Sequence, residues 1–123
     1  MGWWSRFRES FQRRPQPEPV IRVVDGGFEL VSPVDQSTIA VVRWRDIARI
    51  HTYKVDLVTT DCICLLFEFI GGRSPLQVSE EWSGFADLFV PLGDAFPSIP
   101  ADWYVEVMKP AFETNRRILY EAS

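Results

Sequence analysis

Few residues in the chain have the types and spacing that chemistry requires. His51 is the only histidine. No serine or cysteine stands with it in a nucleophile motif, so the parts for covalent catalysis are not assembled. In a strand-like stretch such a residue reads as packing or surface. Cys62 and Cys64 are the only cysteines. Neighbours at i and i+2 of a strand are poorly placed for a relaxed disulfide. A metal site would want more Cys or His than His51 adds. Both thiols are therefore expected reduced and buried, the common state of free cysteine. Glu80 and Glu81 are adjacent, and on a helix such side chains point about 100° apart, so they cannot serve one reacting atom together. Gly26-Gly27 and Gly71-Gly72 sit where hairpins turn and form no phosphate cradle. The expectation is a chain that is not an enzyme, with no cofactor and no metal.

One constellation resists that reduction: Lys54, Asp56 and Asp61, with Asp46 further back. They bracket a polar turn between two apolar segments and could present a partner-binding patch. The preferred alternative is a solvated loop held by Asp and Thr side-chain hydrogen bonds, since exposed ion pairs contribute little.

The elements around these residues follow from pattern. Thr38 to Ile70 organises the chain. Residues 38–43 are β-branched and short, as a half-buried strand prefers. Trp44, Ile47 and Ala48 fall at i, i+3 and i+4, which predicts a helical turn or bulged corner. Residues 49–55 alternate, and 62–70 are the most apolar run. There Cys62, Cys64 and Leu66 share one face, and Ile63, Leu65, Phe67 and Phe69 the other. Apolar residues on both faces predict a central strand covered twice, with Glu68 marking incomplete cover. Ahead of it, Val20–Val24 and Phe28–Val31 read as strands joined by the turn Asp25-Gly26-Gly27. After it, Pro75–Val78 reads as an edge strand.

Ser79-Glu80-Glu81 predicts a helix start, followed by Trp82, Phe85, Ala86 and Phe89 at core-facing spacing. Pro91 is expected to kink or end that helix, and Gly93 to weaken any continuation. Asp102 is expected to cap a short turn from Trp103 to Met108. Pro110 is expected to open a last helix with Ala111, Phe112, Asn115, Ile118 and Leu119 inward. The predicted class is α+β: an antiparallel meander of about six strands with C-terminal helices on one face. A curled sheet similar to pleckstrin-homology-like domains is one version of it.

Residues 1–19 read as a separate leader and 20–123 as one domain. In the leader Trp3, Trp4, Phe7 and Phe11 fill one arc of about 100° on a helical wheel, flanked by Arg6 and Arg8. That pattern suits docking on an anionic membrane or a partner. Pro15, Pro17 and Pro19 then hold an extended spacer. Position 6 is Arg where a myristoylation site would want Ser or Thr.

With 123 residues, 46% of them hydrophobic, one packed domain is expected. No apolar run reaches the roughly 18–20 residues of a membrane-spanning helix. A signal-peptide core is lacking as well, which points to the cytoplasm. The net charge of −4 argues against nucleic acid. Charge is uneven: residues 1–22 carry five Arg and two Glu, and the remainder eight basic against fifteen acidic residues. The body is acidic and its leader basic.

The runs WRDIARIHTYKVD (44–56), TDCICL (60–65), SEEWSGF (79–85) and WYVEVMKPAFETN (103–115) together resemble a group of small bacterial proteins of unknown function. The shared pattern is like DI-xx-I-xx-YK-x-D-xxxx-D-x-ICL, ending in PAF-xx-N, and spans roughly 20–121. The resemblance implies a bacterial source and a stand-alone domain, and it carries no catalytic residues. The leading functional expectation is a non-enzymatic domain that binds another protein by a sheet edge or loop surface. An immunity-type or regulatory partner is one instance, because an acidic domain can oppose a basic one. The alternatives are a peripheral membrane adaptor using the leader, and a small-ligand carrier or hydrolase with a pocket between sheet and helices.

Overall fold

The computed structural model describes residues 17–56, 60–109 and 116–123. The chain makes β1 (Val20–Val24), β2 (Gly27–Val31), β3 (Thr38–Arg43), a 3-10 turn (Trp44–Asp46), β4 (Ile47–Asp56) and β5 (Asp61–Phe69). It continues with β6 (Leu76–Ser79), a 3-10 segment (Phe85–Leu88), α1 (Phe89–Ala95), α2 (Trp103–Met108) and β7 (Arg117–Glu121). The architecture is α+β, with all strand pairing antiparallel.

The expected single meander of six strands is replaced by two sheets. One has the order β1-β2-β3 and the other β6-β5-β4-β7. The division falls at Trp44–Asp46, where the 3-10 turn interrupts the strand path and redirects the chain. Asp25 and Gly26 close the first hairpin, with Val24 opposite Gly27. Gly26 sits at φ 75°, a conformation open to glycine at no steric cost. The second sheet is built on β4 and β5, paired from Ile47–Phe69 to Asp56–Asp61. β5 is flanked on both sides and buried through Cys62–Leu65, as its double apolar pattern requires.

The core gathers the inward faces of both sheets, with Phe28, Val42, Ile50, Ile63, Leu65 and Phe67 at its centre. Leu88, Leu92, Trp103 and Val107 from the helical segments cover it. Aromatic rings bridge the layers. Phe28 lies 5.7 Å from Trp44 and 5.3 Å from Phe67, and Trp44 stands edge-on to Phe96 at 6.0 Å.

Three expectations are corrected. The helix read from Ser79 does not begin there, because Ser79 still pairs with Cys64 in the sheet. Its hydroxyl instead accepts the Glu81 N–H at 3.1 Å in the turn that follows. Pro91 does not end a helix. It occupies the first turn of α1, where a missing N–H costs nothing, and the helix runs through Gly93 to Ala95. The last helix fails at its C-terminal half: Ile118 and Leu119 belong to β7, which completes the second sheet against β4. A ready edge on β4 outweighs the local helical spacing. The remaining positions of that helix, Pro110 to Asn115, lie outside the described residues, as do Trp3, Trp4, Arg6, Phe7, Arg8 and Phe11.

Candidate functional site

The residues singled out by sequence do not form one patch. Asp46 ends the 3-10 turn and its carbonyl accepts the Ile70 N–H at 2.9 Å. Lys54, Asp56 and Asp61 lie at the other end of β4, on the order of 30 Å away at a strand's rise per residue. Asp56 is paired in register with Asp61. Lys54 is the surprise, because only 2% of its side chain is exposed. Its parity with Ile50 and Thr52, both fully buried, carries the stem into the core. The ammonium donates to the Met108 carbonyl at 2.9 Å and lies 3.4 Å from Asp61 Oδ2. It thereby satisfies a carbonyl at the end of α2, where a cation is also favoured. The solvated-loop reading therefore does not hold for Lys54, which joins helix to sheet.

Opposite the core, β4, β5 and β7 carry a charge network. His51 Nε2 is 2.7 Å from Glu68 Oε2, and Arg49 Nη1 reaches the same oxygen at 3.2 Å. Arg49 also grips Glu121 Oε2 through Nε at 3.0 Å and Nη2 at 2.6 Å. The hydrogen bond from His51, and next the charge of Arg49, hold the Glu68 carboxyl below the usual carboxylate range. Arg49 and Glu121 were not singled out by sequence, and Glu68 only as the mark of incomplete cover. Counting back from the Asp56–Asp61 closure places Arg49 opposite Glu68, so a signal existed. Cys64 is buried on this face and its thiol is pushed up to about 12, chiefly by burial and then by Cys62. Such a thiol is inert as a nucleophile. Both cysteines are free and buried. Among the described residues no group of three or more His, Cys, Asp or Glu is placed to hold a metal.

What the fold leaves available is the outer face and margins of the three-stranded sheet. Side chains alternate, so Ile21, Val23, Phe28, Leu30, Ala40 and Val42 point to the core. Val20, Arg22, Val24, Glu29, Val31 and Val41 form the opposite face, of which Val31 is buried. Arg22 binds Glu29 across the strands, with Nε at 3.1 Å and Nη2 at 2.5 Å. Ile39, at a register shift in the pairing with β2, is 57% exposed. Beside β1 lies a groove of about 600 Å³ lined by Val20, Arg22, Val31, Pro33, Gln36 and Asp87, among others.

The two margins of this sheet differ. On β1 the outward N–H of Ile21 is taken by the Ser83 carbonyl at 2.8 Å. Gly84 follows at φ 91°, so close that a Cβ would sit 2.1 Å from the Ile21 oxygen. That margin is sealed at Ile21. On β3 the hydrogen-bonded pairs with β2 are Phe28–Val42 and Leu30–Ala40, continued by Trp44 N–H to Gly26 carbonyl at 2.9 Å. Val41 and Arg43, at the intervening positions, turn their backbone groups away. The Arg43 carbonyl is used by the 3-10 turn. By this alternation the Val41 N–H and C=O and the Arg43 N–H point away from β2, and among the described residues no turn or loop backbone bonds to them.

Comparison with known protein families, with curated proteins and with solved structures finds no match. No described helix is long and apolar enough to cross a membrane.

Proposed function

We propose that the chain is a non-enzymatic protein-binding domain that takes up a short extended segment of its partner along β3. The observation that carries the reading is the contrast between a margin sealed by Ser83 and one that keeps three backbone groups turned outward. Added strands draw affinity from such groups and selectivity from alternating side chains. Ile39 and Val41 supply the apolar contacts. Natural sheets protect their edges, so an edge left open beside an exposed isoleucine is a functional feature. The register shift at Ile39 confines pairing to Val41–Arg43, which suits a small, transient interface. Beyond residue 22 the chain has seven more acidic than basic residues, favouring a basic partner and an immunity-type or regulatory role. The fold is read as a curled, pleckstrin-homology-like variant in which β7 stands where the expected C-terminal helix would end.

The test is Val41→Pro. It deletes an outward donor and no bond to β2, and proline is tolerated at strand edges, so the circular dichroism spectrum should match wild type. A partner captured by wild type from host extract should be lost with this variant. Amide exchange in the complex should slow at Val41 and Arg43. Equal capture by the variant, or protection confined to another surface, would sink the proposal.

A further inference from the structure

Every other described arginine is engaged. Arg22 pairs with Glu29, and Arg49 with Glu68 and Glu121. Arg73 lies 4.2 Å above the Phe69 ring and Arg116 lies 5.2 Å from that of Tyr53, and Arg117 also has a partner. Arg43 and Arg45 are the exceptions: both are exposed and, among the described residues, neither makes an ion pair, side-chain hydrogen bond or ring contact. In a chain with an acidic excess, two unpaired guanidinium groups on either side of one tryptophan call for a reason.

The surroundings supply one. Trp44 stands between two hollows. The larger, about 390 Å³, is lined by Trp44, Arg45, Ile47, Ile70, Phe96 and Tyr120, among others. The smaller, about 240 Å³, is lined by Gly26, Arg43, Trp44 and Arg45. Their aromatic wall is rigid, since Trp44 packs on Phe28 and Phe96, and Phe96 on Tyr120 at 4.4 Å. Asp25 and Asp46 are close in sequence but line neither hollow, so the charge presented inside is positive. An apolar hollow within the usual ligand-site range and bearing a fixed charge is a small-molecule site in form.

We infer that the Trp44 hollow binds a small aromatic carboxylate. The ring lies against Trp44, Phe96 and Tyr120. The carboxylate takes a forked, charge-assisted hydrogen bond from Arg45, with Arg43 adding charge at the rim. This site does not depend on strand addition at β3, and its key group, Arg45, lies outside that strand.

The probe is naphthalene-1-carboxylate, titrated calorimetrically into the full chain, with naphthalene-1-carboxamide as the neutral counterpart. Saturable binding of the acid is expected, with amide chemical shifts moving at Arg45, Ile70, Ser98 and Ala122. The carboxamide should bind about tenfold more weakly or worse, as should the acid to Arg45→Gln, each having lost a charge-assisted hydrogen bond. Arg45 is exposed and makes no ion pair among the described residues, so its replacement leaves folding intact. Val41→Pro should not alter the titration, which separates this site from the β3 edge. No saturable binding at millimolar probe, equal affinity for acid and carboxamide, or shifts gathered on the Val20–Gln36 groove would each overturn the inference.

Discussion

Replacing Asp61 with Asn removes a charge from beside a lysine that cannot reach water. Lys54 is 2% exposed and Asp61 19%, so the burden falls on the ammonium. Breaking a buried pair from one side costs about 3–5 kcal/mol. Here Nζ keeps its 2.9 Å bond to the Met108 carbonyl, and Asp61 is partly wet, which places Asp61→Asn near the lower end, about 3 kcal/mol. For a chain of this length that corresponds to roughly 10 °C in Tm. Lys54→Met keeps the buried stem and removes the charge, and the carboxylate it leaves behind is the less buried partner, 19% exposed against 2%, so it should cost less, about 1–2 kcal/mol. Urea unfolding followed by circular dichroism, with an unchanged m-value, gives each figure. The decisive quantity is the cycle: Asp61→Asn made on top of Lys54→Met should cost little, giving a coupling of at least about 1 kcal/mol. Additive losses, or a cost below about 1 kcal/mol for Asp61→Asn, would refute a buried, energetically coupled pair.

Three further outcomes are expected. Because the Glu68 carboxyl is held low in the folded chain, its contribution is present above the unfolded value and lost as pH falls through the folded one. The difference in urea midpoint between wild type and Glu68→Gln should therefore be clear at neutral pH, shrink once pH falls below the unfolded value of about 4.3, and vanish below the depressed folded one; a gap that stays constant in acid would contradict the ion-pair account. With Cys62→Ser isolating Cys64, whose thiol is pushed up to about 12, a chromogenic disulfide reagent near neutral pH should react only after denaturation, and rapid native reaction would show the burial to be wrong. Gly84→Ala places a methyl 2.1 Å from the Ile21 carbonyl at φ 91°, so it should destabilise by about 2 kcal/mol or more and speed amide exchange at Ile21; a neutral effect would mean the β1 margin is not sealed there.

Much of the sheet was legible because its signals are local. The Asp25-Gly26 turn and the double apolar pattern of Cys62–Phe69 specify strands whatever surrounds them. The break at Trp44 was visible, but both flanking strands pair with their chain neighbours, β3 with β2 and β4 with β5, so nothing local distinguishes a corner within one sheet from a passage between two. β7 was missed because adjacent Ile118 and Leu119 fit a helix face as well as a strand; pairing with β4 decides, burying Leu119 and leaving Ile118 56% exposed. Lys54 was misjudged by residue type. Its parity with Ile50 and Thr52 already pointed inward, while its charge argued outward, and the Met108 carbonyl and Asp61 carboxylate resolve the conflict. That Arg43 and Arg45 make no ion pair among the described residues could not be read at all, since ion pairing is a product of the finished register.

Arg49 and Glu121 stand 72 positions apart, whereas β4 and β5 meet across a single short connection. The assembly order this implies is hierarchical. The β4–β5 hairpin can form within microseconds of collapse, but docking β7 requires closing a loop that spans over half the polypeptide, an entropic toll deferred until late. Until then β4 has a vacant flank, and a newly made molecule passes through a brief window in which it can trade strands with a neighbour.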